Sequence, residues 1–140
     1  MGFLDELKFR AWDDLDTVTR LIKKWTPRRC KTEKDYEKSL YDYLHRELGQ
    51  VQVTKQFAKG RIRADLVVGD RVIIELKHNL DNTGKYQRLI GQLEEYQDWD
   101  GRIVIVLTAK SDQHLRKQLA SYVKEHQSAL LGDKFAIVDK

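Results

Sequence analysis

The chain has 140 residues, with 26 basic and 22 acidic side chains and a net charge of +4, which suits one domain with a single core. No apolar run approaches the roughly 20 residues of a bilayer span. The opening stretch MGFLDELKFRAWDDLD carries acids where a signal peptide has an apolar core, so a cytoplasmic, intracellular protein is expected. Cys30 has no second cysteine to pair with, and His45, His78, His114 and His126 lack the spacing of a zinc site.

Leu4, Leu7, Ala11, Leu15, Val18, Ile22 and Trp25 recur at steps of three and four, so residues 3–25 are expected to be helical up to the block at Pro27. Asp13, Asp14 and Asp16 in this stretch read as helix-turn acids, not as ligands. Thr32 is a suitable N-cap, with Asp35 three residues on, for a helix running to about His45–Leu48 before Gly49. Three strands follow. Val51, Val53 and Phe57 alternate with polar residues; Ile62 to Val68 is the next strand, then Arg71 to Lys77, with Gly69-Asp70 as the turn. A helix is predicted from about Gly84 to Trp99. Arg102 to Leu107 reads as a buried strand, Asp112 caps a last helix, and Phe135 to Val138 is a closing strand. This order predicts an α/β fold with a mixed central sheet flanked by helices.

Basic residues cluster in two places: Lys23, Lys24, Arg28, Arg29 and Lys31 around the proline, and Lys55, Lys59, Arg61 and Arg63 between the first two strands. Both suit a polyanionic partner, although solvated surface charge reads the same way. Alternation along the third strand puts Val72, Ile74 and Leu76 on one face and Glu75 and Lys77 on the other. On the second strand it puts Ile62, Ala64, Leu66 and Val68 on the core face and Arg61, Arg63 and Asp65 opposite. The solvated outer face of a hairpin would carry the same charges. Helices flank the hairpin in sequence, however, and a half-covered carboxylate needs a partner or a metal. The loop length decides whether Asp65 meets Glu75. A two-residue turn would oppose Asp65 to Ile74, whereas an odd-numbered loop or a bulge would oppose it to Glu75.

Asp65, then Glu75-Leu76-Lys77 ten residues on, then Gln92-Leu93-Glu94-Glu95-Tyr96, resembles the PD-(D/E)XK, or restriction-endonuclease-like, nucleases. The Gln-x-x-x-Tyr element is similar to that of RecB-like members, and Thr32 to Glu37 is similar to the acidic first motif. The resemblance covers about residues 31–110, with Ala64 standing where the consensus has proline and no histidine in the first motif.

The resemblance implies an αβββαβ core in a nuclease domain at 29–140, behind an N-terminal helical extension at 1–28. It implies a DNA nuclease in which Asp65, Glu75 and the Leu76 carbonyl hold Mg²⁺ or Mn²⁺ and Lys77 serves the transition state. Glu33 is the first-motif acid in this reading and Glu37 the alternative. Gln92 belongs to the catalytic set, and Lys59, Arg61, Arg63 and Tyr96 contact substrate. An RNA-cutting relative and a non-catalytic DNA-binding module are the rival readings. The long N-terminal stripe suggests either a covering helix or a homodimer arm.

Overall fold

The computed structural model describes residues 14–127 and 133–140. Over these residues the chain is an α/β protein with four helices and one five-stranded mixed sheet, the first two helices preceding the strands. The helices are α1 (Asp14–Lys24), α2 (Glu33–Leu48), α3 (Thr83–Glu95) and α4 (Gln113–Glu125). The strands are β1 (Val53–Lys59), β2 (Ile62–Val68), β3 (Val72–Leu80), β4 (Arg102–Ser111) and β5 (Phe135–Asp139). No described helix is long and apolar enough to cross a membrane.

Local chemistry accounts for the helix ends. Thr32 and Asp35 form a reciprocal capping box at the start of α2, and Gly49 ends that helix at φ 59°. The Asn82 side chain accepts the Lys85 amide to start α3, and the Asp112 side chain accepts that of Leu115 to start α4. Helix α3 stops at Glu95, leaving Tyr96 at its C-cap, short of the predicted Trp99. Strands β3 and β4 run three and four residues beyond their predicted ends, to Leu80 and Ser111.

The sheet order is β1-β2-β3-β4-β5. Tight turns make the first two pairs antiparallel, and the crossovers through α3 and α4 make β3, β4 and β5 parallel. One core layer packs Val18, Ile22 and Trp25 of the first helical region and Leu40, Leu44 and Leu48 of α2 onto Val72, Ile74, Leu76, Val104 and Val106. The opposite layer packs Leu89 and Leu93 of α3, Tyr96, and Leu115, Leu119 and Val123 of α4 onto Ile73, Ile103, Ile105 and Leu107. Strands β3 and β4 are thus covered on both faces, as their apolar runs suggest.

The N-terminal stripe divides at the edge of the described residues. Leu4, Leu7 and Ala11 lie outside them. Val18, Ile22 and Trp25 are at most 2% exposed in the chain's own core. Burial of each such side chain contributes about 1.5–3 kcal/mol, so withdrawing α1 to form a free arm would consume much of a domain's net stability. This part of the stripe acts as a covering helix and belongs to the same core as residues 29–140.

The face assignment of the hairpin differs from strict alternation. Leu66 and Val68 join the α1–α2 layer as expected, but Ile62 and Ala64 join the α3–α4 layer. Strand β1 changes face in the same way, since Val53 packs with α1 and α2 while Phe57 packs with α3 and meets the Trp99 ring edge-on at 6.0 Å. Pairing of the two strands keeps one register on either side of the change, from Val53↔Val68 to Lys55↔Leu66 and from Phe57↔Ala64 to Lys59↔Ile62. The pair left out is Gln56 and Asp65, and Gln56 has φ 50°. One left-handed residue therefore turns the tip of the hairpin as a unit and changes which layer its side chains enter.

Candidate functional site

The kink in the hairpin opens the sheet. Strands β2 and β3 pair at Val68↔Val72, Val67↔Ile73 and Leu66↔Ile74, and the ladder stops there although both strands continue. This register needs a three-residue turn, Gly69 to Arg71, with Gly69 at φ 58° and Asp70 at φ 54°. Continued by one step it opposes Asp65 to Glu75, the arrangement that an odd-numbered loop was expected to produce.

Side chains take over where the ladder ends. Asp65 Oδ2 accepts the Leu76 amide at 2.8 Å, and Glu33 Oε1 accepts the His78 amide at 3.1 Å. Amides of alternate residues face the same edge of a strand, so carboxylates from β2 and α2 line the edge of β3 that backbone pairing leaves open. A residue's N–H and C=O share an edge as well, which turns the Leu76 carbonyl toward the same gap. The His78 ring lies on the α2 side, tilted against Tyr36 at 5.1 Å, with Nδ1 3.0 Å from Thr108 Oγ1. It does not join the carboxyls.

Glu75 points into the α3–α4 layer and is only 1% exposed. The Tyr96 hydroxyl lies 2.7 Å from Glu75 Oε2 and 2.6 Å from the Arg63 carbonyl, and shares its proton between them. Tyr96 thereby ties Glu75 of β3 to the backbone of β2 across the gap. Its side chain is 0% exposed, so in this structure its contacts are with the protein's own groups.

Asp65 and Glu75 lie close enough for each to act on the ionisation of the other. Burial pushes Asp65 up to about 6 against the opposing Leu76 amide, and the charges of Glu37 and then Glu33 add to the rise. Burial pushes Glu75 up to about 8, helped by the charge of Asp65 and opposed by the Tyr96 bond and the Lys77 ammonium. Near neutral pH the pair therefore retains a proton that two exposed acids would have lost. Lys77 is half-buried, and its charge acts on Glu75 as the shared strand face predicts.

Both candidate first-motif acids border this pair, with different partners. Glu33 is exposed and fixed to the His78 amide. Glu37 is half-buried, accepts the Gln56 side-chain amide at 2.8 Å, and has the larger effect on Asp65. The Gln92 Oε1 atom, one turn before Tyr96, is buried without a hydrogen-bond partner among the described residues. Gln56 escaped the sequence reading because a glutamine within a strand pattern carries no local signal of positive φ.

Lys59, Arg61 and Arg63 lie at the exposed hairpin tip. The Arg63 guanidinium folds back onto its own turn, donating to the Gly60 and Ile62 carbonyls at 2.7 and 2.8 Å. Because the hairpin changes face at Asp65, Arg61 and Arg63 do not continue the face of Asp65, as simple alternation had suggested. Arg28 and Arg29 of the other basic cluster border a separate groove along α2, together with Asp35, Lys38, Asp42 and Arg46.

No protein-family model matches the chain, and no curated protein or solved structure is similar enough to match it. Chemical capacity is therefore read from the donor set. Among the described residues, no group of three or more acidic, histidine or cysteine side chains is gathered closely enough to hold an ion alone. Two carboxyls and a main-chain carbonyl at one gap still supply hard oxygen donors, which suit Mg²⁺ or Mn²⁺ with water completing the shell. Buried carboxyls driven together and protonated are a poor resting state and gain most from a cation.

Proposed function

We propose that this chain is a divalent-metal-dependent nuclease of the PD-(D/E)XK kind that hydrolyses phosphodiester bonds in DNA. The observation that carries this reading is the gap in the sheet after Leu66↔Ile74, where the carboxyls of Asp65 and Glu75 meet beside Lys77. The order α2-β1-β2-β3-α3-β4 agrees with the αβββαβ core of that superfamily and supports the same reading.

Asp65, Glu75 and the Leu76 carbonyl would hold the cation, with Glu37 or Glu33 reaching it through water. When bound, a divalent ion lowers the pKa of a coordinated water and offsets charge building on the phosphate. The chain's own residues prepare the site. The Leu76 amide orients Asp65 and the Tyr96 hydroxyl orients Glu75, so neither carboxylate must search for its position. Lys77 places a fixed cation beside them, where it can stabilise an attacking oxygen or the developing phosphorane charge. Lys59 and Arg61 at the hairpin tip offer unspecific contacts to a phosphate backbone.

The test is Mn²⁺ binding by calorimetry, run beside cleavage of DNA and RNA substrates. Asp65→Asn and Glu75→Gln should lose Mn²⁺ affinity and reduce cleavage by roughly a hundredfold to a thousandfold. Lys77→Ala should lose similar activity yet keep Mn²⁺ affinity within a few-fold. Full activity in Glu75→Gln would overturn the proposal, and cleavage confined to RNA would overturn the DNA assignment.

A further inference from the structure

Two flanks of α2 carry different groups. Glu33 and Glu37, one turn apart, border the gap, whereas Asp35, Lys38, Asp42 and Arg46 line a groove of about 540 Å³ shared with the linker from α1. The polar groups on the groove floor are engaged: the Trp25 indole donates to Ser39 Oγ at 3.1 Å and the Tyr43 hydroxyl to the Leu21 carbonyl at 2.6 Å. Both acids are engaged too, Asp35 by the Lys31 and Thr32 amides and Asp42 by Lys38 at 2.8 Å. Arg46 stands 3.7 Å from Glu47. That leaves Arg28 and Arg29, both exposed, with neither guanidinium hydrogen-bonded or ion-paired among the described residues.

The backbone gathers these two charges. Arg28, Arg29 and Cys30 all border the groove, although an extended chain turns every second side chain away. Arg29 has φ 57°, a left-handed torsion that is unfavourable in an arginine, and it bends the linker so that consecutive side chains share one side. Cys30 Sγ lies 3.4 Å from the Arg28 carbonyl across this bend. Strain is thus held where unpaired positive charge is concentrated.

We propose that this groove is a second, sequence-independent contact for the DNA backbone, in which the guanidiniums of Arg28 and Arg29 hold phosphates away from the scissile bond. The inference takes its ligand from the nuclease reading above and extends that reading. Position supports it. Arg29 precedes Glu33 by four residues, so their Cα atoms lie at most about 14 Å apart, and Glu33 is pinned to the edge of β3 at the gap. From Asp35 to Arg46 the groove follows α2 for roughly 16 Å. Phosphates of one strand advance about 3.4 Å each along a duplex, so several pass over such a length. A guanidinium presents paired donors that match phosphate oxygens, and exposed arginines with no base-reading partner around them read charge, not sequence.

The test is fluorescence anisotropy of a labelled short DNA duplex with the full, metal-free chain at several salt concentrations. Arg28→Ala with Arg29→Gly removes both charges and keeps the left-handed torsion unstrained, so the thermal midpoint should stay close to that of the parent. DNA affinity should fall about tenfold and the log–log salt slope by about two, because each phosphate contact releases close to one counterion. Arg28→Ala alone, which leaves the bend untouched, should show about half of that slope change if the double variant folds poorly. Lys117→Ala with Lys124→Ala removes the same charge from the exposed side of α4 on the opposite layer, and affinity there should stay within about twofold. With Mn²⁺ and saturating DNA the Arg28/Arg29 variant should keep kcat within about twofold while KM rises.

An unchanged slope in the Arg28 and Arg29 variants would overturn the proposal. So would an equal loss in the Lys117/Lys124 variant, which would make the effect one of net charge, or a kcat loss as large as the affinity loss, which would put the arginines at the reacting phosphate. Binding is measured without turnover, so the two readings fail separately. A parent that binds DNA through this groove but never cleaves it removes the nuclease reading alone, and a parent that cleaves while the arginine variants bind normally removes this inference alone.

Discussion

Along its β4 side, β3 is paired without interruption from Val72↔Arg102 to His78↔Thr108, whereas along its β2 side the ladder ends at Ile74. The two edges belong to the same strand and satisfy their amides by different means. On the β4 side a parallel ladder joins residues that are almost all fully buried, so pairing and packing reinforce each other. On the β2 side the amides of Leu76 and His78 are met by the carboxylates of Asp65, which is partly buried beside Glu75, and of Glu33, which is exposed. Stability gathers on one edge, and groups that would be more stable ionised in water gather on the other. A site of this kind needs such a frame, because carboxyls pressed together cost free energy that the neighbouring core must offset.

The sharpest way to break the comparison is to remove packing on the paired edge. Ile103, fully buried and paired with both Ile73 and Phe135, should cost about 2–5 kcal/mol when replaced by alanine. Under folding conditions Mn²⁺ affinity should stay within about twofold, because the lesion lies at the start of β4 and away from Glu75. Urea titration and calorimetry on Ile103→Ala measure both, and a metal-binding loss larger than the stability loss would show that the two edges are not separate.

The open edge should reveal itself through pH. Asp65 and Glu75 titrate at about 6 and about 8 in the folded chain, above their values in an unfolded one. The folded state therefore binds more protons than the unfolded state from about pH 4 upward, and metal-free stability falls as pH rises until both groups have ionised. Between pH 5 and pH 9 the decline should amount to on the order of 5 kcal/mol. Glu75→Gln, which keeps a neutral group at that position, should remove most of the slope. Mn²⁺ should bind more tightly across the same interval, since its ligands must give up protons. A metal-free stability that rises over this range would contradict the buried-pair description.

The smallest effect belongs to the hairpin tip. Neutralising Lys59 and Arg61 together should leave stability within about 0.5 kcal/mol, as is usual for exposed positions. It should lower the salt dependence of DNA binding by about one to two in log–log slope. Fluorescence anisotropy at several salt concentrations measures this. An unchanged slope would move the substrate contact elsewhere, with the groove bordered by Arg28 and Arg29 the next place to probe.

Much of this arrangement could be read locally. The capping of α2 by Thr32 and Asp35, the bounds of β2, the buried character of β4 and the Asp112 cap follow from side chains acting on backbone within a few residues. The pairing of Asp65 with Glu75 was legible as a condition, namely an odd-numbered turn at Gly69. The rest depended on distant partners. Nothing near Gln56 announces a positive φ, yet that one torsion sends Ile62 and Ala64 into a different layer from Leu66 and Val68. The partners of the two candidate first-motif acids, Gln56 of β1 for Glu37 and the His78 amide of β3 for Glu33, come from elements distant in sequence. The burial of the Tyr96 hydroxyl between Arg63 and Glu75 likewise joins three elements far apart in sequence. Sequence determined the elements, because capping and periodicity act over a few residues. Tertiary structure decided the site, because desolvation and hydrogen-bond partners are properties of a shared volume that no local segment contains.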